Sequence, residues 1–206
     1  MLEIKGATLR LSGRCLFCNL NLTVKAGEWV CVTGESGCGK TSLLRAVLGF
    51  LPLDAGSIFI SGKQLSPHAI DFIRKQTAYV PQELFLPAES AEEMLRLPFG
   101  LKANRTRRLS KEKLFDLWDR LGLQPELLQR KVTQLSGGQR QRIILSMEAL
   151  LEKPLMLIDE PTSALDDESV TRVAALFRSL SQSGTAILCV SHNRSFLSAC
   201  DVVLKL

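Results

Sequence analysis

A glycine-rich loop set between an apolar run and an amphipathic run restricts this chain to few folds. The loop reads Gly34-Glu35-Ser36-Gly37-Cys38-Gly39-Lys40-Thr41 and is followed by Ser42. A strand is predicted at 29–33 and a helix at 40–48, which is the context that the pattern G-x-x-x-x-G-K-[ST] requires. Glycines let successive N–H groups turn inward, and the helix N-terminus adds partial positive charge. The loop therefore predicts a phosphate site, with Lys40 reaching the β- and γ-phosphates and Thr41 placing its hydroxyl on Mg²⁺.

A pair of carboxylates follows the apolar strand predicted at 155–158. Asp159 and Glu160 would lie just past the carboxyl end of that strand, where α/β sheets bind ligands. Asp159 is a candidate Mg²⁺ ligand, and Glu160 is a candidate general base that polarises the attacking water.

Alternation of helices with continuous apolar strands predicts an α/β protein with a mixed, mainly parallel core sheet covered on both faces. Turns near 54–57 and 61–62 indicate a small antiparallel part near the N-terminus. Leu114, Leu117, Trp118 and Leu121 recur at helical spacing. We therefore predict one P-loop NTPase domain, with residues 1–87 and 133–206 as its catalytic core and about 88–132 as an inserted helical subdomain.

Composition excludes several classes of protein. The chain has 206 residues and 46% apolar residues, yet no apolar run approaches the ~18 residues of a membrane span. The N-terminus lacks the charge and apolar core of a signal peptide, so secretion is not expected. Six cysteines are predicted to be reduced, and the Cys15–Cys18 pair lacks a second pair or a nearby histidine to complete a metal site.

Positive charge is concentrated in one stretch, residues 102–113. Six basic residues and one acid there carry a charge equal to the net +5 of the whole chain. No aromatic residues are interleaved to stack on bases, so nucleic acid is not an expected partner. A solvated face, or contact with anionic lipid or a membrane partner, fits the stretch better.

Residues Leu135, Ser136, Gly137, Gly138 and Gln139, followed by Arg140-Gln141-Arg142, resemble the signature of the ATP-binding cassette (ABC) ATPases. The resemblance covers nearly the whole chain, with the motifs in the family's order. These motifs are the phosphate loop 34–41, Gln82, the signature 135–139, Asp159 with Glu160, Asp166 and His192.

The resemblance implies how these residues act. Two cassettes pair head to tail, so that each ATP lies between one subunit's phosphate loop and the other's signature, with Ser136 capping a helix aimed at the γ-phosphate. Gln82 would contact Mg²⁺ or water and link the site to the helical subdomain, and His192 would contact the γ-phosphate. Asp166 would lie at the dimer interface. Glu160, His192, Gln82 and Lys40 are thus the predicted catalytic residues, with Thr41, Gln82 and Asp159 around Mg²⁺.

Two positions depart from the family pattern. Leu11 stands where members commonly stack an aromatic ring on adenine, which predicts weaker binding of the base. Ser146-Met147-Glu148-Ala149 replaces the usual Ala-Arg-Ala after the signature, which predicts the loss of a polar contact that supports the interface.

The favoured function is the ATP-hydrolysing subunit of an ABC transporter, peripheral at the cytoplasmic face of the inner membrane. Its partners would be integral membrane permease subunits and a second copy of itself or a paralogous ATPase. Its compact length and residues 79–85 resemble small bacterial subunits with a separate permease, including metal-efflux systems. The alternative is a soluble ABC-type ATPase acting on DNA or ribosomes, but residues 42–135 leave too little chain for a long coiled coil before the signature. A P-loop GTPase or nucleotide kinase is not favoured, because no Asn-Lys-x-Asp motif occurs and the signature would be left unexplained.

Overall fold

The computed structural model describes residues 1–83 and 87–206. Leu84 and Phe85, which belong to the segment compared with metal-efflux subunits, lie outside the described residues. Strands β1 to β9 follow the chain in this order: Leu2–Leu11, Arg14–Val24, Trp29–Thr33, Ala55–Ile60, Lys63–Gln64, Thr77–Val80, Leu155–Asp159, Ala186–Val190 and Val202–Lys205. Helices α1 to α7 are Lys40–Val47, Ile70–Gln76, Ala91–Arg96, Lys111–Arg120, Gly137–Leu150, Asp167–Gln182 and Arg194–Leu197.

The described strands form two sheets. One has four antiparallel strands in the order β2-β1-β4-β5, and the other has five parallel strands in the order β6-β7-β8-β3-β9. Every residue of β7 and β8 is buried, as expected for strands covered on both faces. The predicted α/β fold is confirmed, and the antiparallel strands form a separate sheet from the parallel core.

Side chains on the two faces of the parallel sheet form two apolar clusters. One contains Trp29, whose ring packs edge-on against Phe177 and Phe196 at centroid distances of 5.5 and 5.0 Å. The other joins the sheet to α1 and to the antiparallel strands through residues such as Leu43 and Leu44. Because both faces are covered, polar groups can reach the core sheet mainly at its strand ends.

The chain between the two parts of the core is helical, as predicted. It contains α3, α4 and four short 3-10 helices at Leu97–Gly100, Lys102–Asn104, Pro125–Gln129 and Val132–Gln134. Helix α4 buries Leu114 and Trp118 and packs on α5. That this segment is a subdomain with limits near 88 and 132 stays a prediction. Among the residues described, no helix has the length and apolar character needed to cross a membrane.

Two local predictions were wrong. Residues 55–57, expected to be part of a turn at 54–57, instead begin β4. The pairing of β1 with β4 shifts register there, and Gly56 packs against the backbone of Gly6 with a φ of +87°. The expectation that all six cysteines are reduced fails for Cys15 and Cys18, which form a disulfide. Cys31, Cys38, Cys189 and Cys200 are free thiols.

Candidate active site

The phosphate loop joins the carboxyl end of β3 to the start of α1. Gly37 and Gly39 adopt φ values of +77° and +107°, in the left-handed region that a side chain would strain. The Lys40 ammonium donates to the carbonyl oxygens of Gly34 and Glu35 at 2.9 and 2.8 Å. The loop therefore curls around the ammonium of its own lysine, the first residue of α1.

Asp159 is the last residue of β7 and Glu160 follows it, and both residues are buried. Burial raises the pKa of Asp159, while a hydrogen bond from Thr41 and the charges of Arg45 and Lys40 act in the opposite direction. Asp159 Oδ1 and Glu160 Oε2 are both buried without a hydrogen-bond partner in the structure. Unpartnered buried oxygens are costly, so each requires a ligand, an ion or a water.

The backbone turns sharply at Glu160. Its φ of +51° is unusual for a residue with a side chain, and its N–H donates to the carbonyl of Val190 on β8 at 3.0 Å. This conformation is held by the neighbouring strand, and it keeps the Glu160 carboxylate at the carboxyl edge of the sheet.

His192 follows β8 at the same edge. Its Nδ1 lies 2.9 Å from Glu160 Oε1, and 73% of its side chain is exposed compared with 9% for Glu160. The imidazole thus covers one oxygen of the buried carboxylate and leaves the other free. Gln82, which follows β6, is exposed.

One cavity of about 590 Å³ brings most of the predicted site residues together. It is lined by Leu11, Leu16, Gly34, Ser36, Gly37, Gly39, Lys40, Thr41, Ser42, Gln82, Asp159, Glu160, Val190 and His192. The loops after β3, β6, β7 and β8 meet here because parallel strands share one carboxyl edge. The signature residues 135–139 are not among the described residues that line this cavity.

The signature instead begins α5. Ser136 Oγ accepts from the N–H of Gln139 at 3.1 Å, and the Gln139 side chain accepts from the N–H of Ser136 at 3.0 Å, which is a capping box. A Cβ placed on Gly138 would lie 2.9 Å from the carbonyl oxygen of Ala164. Gly138 is therefore required for close packing between the signature and the segment before α6.

Asp166 caps α6. Its side chain accepts from the N–H of Ser169 at 2.7 Å, and that hydrogen bond is the main cause of the lowered pKa of Asp166. Asp167 and Glu168 follow Asp166 in the first turn, so three acids lie at the positive end of the helix dipole. An interface role for Asp166 stays a prediction.

The family model for ABC transporters matches residues 17–163. Among curated proteins, the "Probable iron export ATP-binding protein FetA" of Escherichia coli K12 is 30% identical over 91% of this chain and 83% of its own length. This chain belongs to the ABC transporter family. The expectation of an ABC ATPase, drawn from residues 34–41 and 135–139, is confirmed.

Other comparisons place this ABC cassette among transporter proteins. The "Fe(3+) ions import ATP-binding protein FbpC" of Streptomyces avermitilis is 34% identical over 94% of the chain, which spans only 56% of that relative's length. A bacterial ABC transporter cassette with a dimeric structure is 25% identical, with a TM-score of 0.83 over 100% of this chain and 94% of that one. These likenesses confirm the fold and its use in ATP-binding subunits of transporters.

Sequence reasoning missed three contacts of this ABC cassette. Leu16 lines the nucleotide cavity beside Leu11, and no motif indicates it. Ser146 accepts a hydrogen bond from Trp118 Nε1 at 3.0 Å. Ser146 belongs to the segment that departs from the family pattern after the signature, and its hydroxyl therefore has a buried partner.

The third missed contact is a buried acid, Glu148, near the buried ammonium of Lys153. Lys153 donates to the carbonyl oxygens of Arg74 and Thr77 at 2.7 and 2.9 Å. The sequence did contain a sign of this contact, an acid among the apolar residues of α5. A charge on a buried helix face needs partners, so a nearby cation could have been expected.

Proposed function

We propose that this chain binds ATP with Mg²⁺ in the cavity described above and hydrolyses it, as the ATPase subunit that drives a separate membrane permease. The observation that carries the proposal is the convergence of Lys40, Thr41, Asp159, Glu160 and His192 on one cavity. That set contains a cation for the phosphates, oxygen ligands for a metal, and a carboxylate for water.

The donor set fits magnesium. Mg²⁺ prefers oxygen ligands and few protein carboxylates, and Asp159 offers a buried oxygen without a partner next to the Thr41 hydroxyl. Thr41, Asp159 and Gln82 are the residues that would hold the ion or its waters. When bound, the ion neutralises charge that develops on the transferred phosphoryl group.

The chain's own residues supply the remaining steps. Lys40 and the N–H groups of the loop bind and orient the phosphates, which in phosphoryl transfer accounts for much of the catalysis. Glu160 accepts a proton from the attacking water, and His192 holds one Glu160 oxygen in place while facing the γ-phosphate. Lys40, Gln82, Glu160 and His192 are thus the proposed catalytic residues.

The second half of the site comes from a second cassette. The N-terminus of α5, with Ser136, Gly137 and Gly138, offers backbone N–H groups and the positive end of a 14-residue helix. These groups lie outside the cavity of their own chain, as far as the described residues show, so a head-to-tail dimer would place them over the partner's ATP. Asp166 is proposed to lie at that interface.

A groove beside the helical segment is the proposed contact for the permease. Its lining includes Phe50 and Leu101, whose exposed fractions of 60% and 59% are high for large apolar residues. The groove also contacts Tyr79 on β6, three residues before Gln82. Binding there would place the chain at the cytoplasmic face of the inner membrane. The two named relatives are an iron export protein and an Fe(3+) import protein.

The test of hydrolysis is Glu160→Gln, with Glu126→Gln, at an exposed residue of the 3-10 helix Pro125–Gln129, as a matched control. Loss of a general base should lower turnover by ~10²–10⁴ while ATP binding remains. The variant should also accumulate an ATP-bound dimer in gel filtration. A Glu160→Gln protein that hydrolyses at the wild-type rate would remove Glu160 from the proposed mechanism.

The test of membrane association is charge reversal of Arg105, Arg107 and Arg108. Replacing all three by Glu should reduce co-purification with membrane subunits more than it reduces the ATPase rate of the isolated chain. The same change at the exposed Lys5, Lys25 and Lys63 of the N-terminal region is the control. Equal membrane association in all three proteins would show that the stretch 102–113 is only a solvated surface.

A further inference from the structure

A bulge in the β1–β2 hairpin points Leu16 at the phosphate loop. Leu9 pairs with Phe17 and Arg10 pairs with Cys15, so Leu16 is an extra residue on β2 without a partner on β1. A Cβ placed on Gly39 would lie 2.9 Å from the Cβ of Leu16. Leu16 therefore packs on the last glycine of the loop and forms part of the cavity wall.

The same bulge brings Cys15 and Cys18 together. Residues three apart in a regular strand point to opposite faces, but one extra residue shifts the alternation. Leu16 and Phe17 are half-buried and buried, while Cys15 and Cys18 are both exposed. Their Cα atoms are 6.7 Å apart, within the range that a disulfide spans, and their sulfurs are joined.

We propose that Cys15 and Cys18 are a reversible dithiol–disulfide site whose oxidised form fixes the Leu16 bulge and so strengthens nucleotide binding in the adjoining cavity. The proposal rests on the proposed function, because it concerns the affinity of that same cavity for ATP. With the bridge intact, Leu16 is held against Gly39 before nucleotide arrives. With the bridge open, the hairpin can relax around residues 15–18, and binding must order this wall again.

Other roles for the pair fit less well. Across residues 1–83 and 87–206, no group of three or more His, Cys, Asp or Glu side chains is placed to hold a metal ion. A bridge between residues three apart closes a very short loop, so it removes little entropy from the unfolded chain. Both cysteines are exposed residues, which is typical of labile bridges rather than of structural ones.

The two thiols of the parallel sheet are poorly placed for exchange compared with Cys15 and Cys18. Cys31 and Cys189 are buried in the parallel sheet, and the contact with the Cys189 thiol is the main cause of a strongly raised pKa for Cys31. Thiols that stay protonated and buried are poor nucleophiles. Exchange is therefore favoured at the hairpin rather than in the sheet.

A dithiol reductant of the thioredoxin class would supply the electrons that open the bridge. One thiolate of the reductant attacks a sulfur of the bridge, which forms a mixed disulfide and releases the other cysteine as a thiolate. The second thiol of the reductant then attacks the reductant's sulfur in the mixed disulfide and releases the second cysteine as a thiolate, so that Cys15 and Cys18 together gain two electrons and two protons and the reductant becomes a disulfide. Glutathione disulfide can reverse the step, with release of two molecules of glutathione.

The test compares the full chain treated with glutathione disulfide or with reduced thioredoxin. Alkylation and mass spectrometry should show Cys15 and Cys18 protected only in the first pool. Calorimetry with ATP and Mg²⁺ should then give a Kd about two- to tenfold weaker for the reduced pool, the cost of ordering one or two side chains.

Two variants separate this effect from others. The double variant Cys15→Ser, Cys18→Ser should bind ATP like the reduced protein and should not respond to either treatment, although it retains Cys38 in the phosphate loop. Leu16→Ala should remove the difference between the two pools. Equal Kd values in both pools, failure to form the bridge, or an unchanged response in the double variant would overturn the switch. Absence of ATP binding in both pools would instead refute the proposed function.

Discussion

Replacing Glu148 by Gln should stabilise the protein at alkaline pH and change it little at acid pH. Burial raises the pKa of Glu148 from its ordinary value of 4.5 to about 7, against the opposing charge of Lys153 and a hydrogen bond from the backbone of Tyr79. A carboxyl with a higher pKa in the folded chain binds its proton more tightly there. The tighter proton binding of Glu148 stabilises the folded chain fully below pH 4.5, and this stabilisation is lost as the pH rises through 7.

The size of the effect follows from these two pKa values. A pKa of 4.5 in the unfolded chain and of about 7 in the folded chain means that about 3 kcal/mol of folding free energy is lost by pH 8. The loss at pH 5 is less than about 1 kcal/mol. Gln resembles the neutral acid, so Glu148→Gln should be about 3 kcal/mol more stable than the wild type at pH 8. Lys153 keeps its two carbonyl partners in the variant.

Urea unfolding followed by tryptophan fluorescence at pH 5 and pH 8 measures this difference. Glu126→Gln, an exposed change of the same chemistry, should shift neither midpoint. If Glu148→Gln changed the unfolding free energy equally at both pH values, Glu148 would not titrate between them, and the reasoning from burial would be refuted.

Three other substitutions test single contacts. Lys40→Ala should abolish ATP binding in calorimetry, because it removes the ammonium at the centre of the phosphate loop; unchanged affinity would exclude Lys40 from the site. Gly138→Ala should lower the free energy of unfolding by about 1–3 kcal/mol in thermal unfolding, since the new Cβ would lie 2.9 Å from a backbone carbonyl oxygen. In the control Gly137→Ala the new Cβ makes only an ordinary contact at 3.5 Å, so the loss should be smaller. Ser146→Ala should cost about 1–3 kcal/mol by leaving the Trp118 N–H buried without a partner, and a Tm equal to the wild type would show that another acceptor replaces it.

The sequence predicted the parts of the site that depend on strand ends. Lys40, Asp159 and His192 each follow an apolar strand within a few residues, and parallel strands bring such positions to one edge whatever the details of packing. Their convergence in one cavity could therefore be expected before the structure was known. A separate prediction, that Ser136 caps a helix, is confirmed at the start of α5.

The parts that were missed depend on contacts between distant segments. Leu16 reaches Gly39 only because of a one-residue bulge, and periodicity does not show an irregularity of that size. The disulfide of Cys15 with Cys18 has the same origin. Glu148 and Lys153 are near each other because α5 turns into β7, and the carbonyls that bind Lys153 come from residues 74 and 77.

The buried acid connects the proposed docking groove to the proposed site of hydrolysis. Glu148 lines the groove beside the backbone of Tyr79 on β6, while Tyr79 pairs with Leu157 on β7, two residues before Asp159. A partner that binds in the groove and moves its wall would shift β6, and with it both Gln82 and β7, which leads to the carboxylates of Asp159 and Glu160. Packed strands move together rather than deform. The connection from Glu148 through Tyr79 to β7 therefore favours coupling of the groove to the proposed site through the sheet, rather than through the exposed residue Gln82. A lower ATPase rate in Phe50→Ala with unchanged ATP affinity would be the expected sign of that coupling.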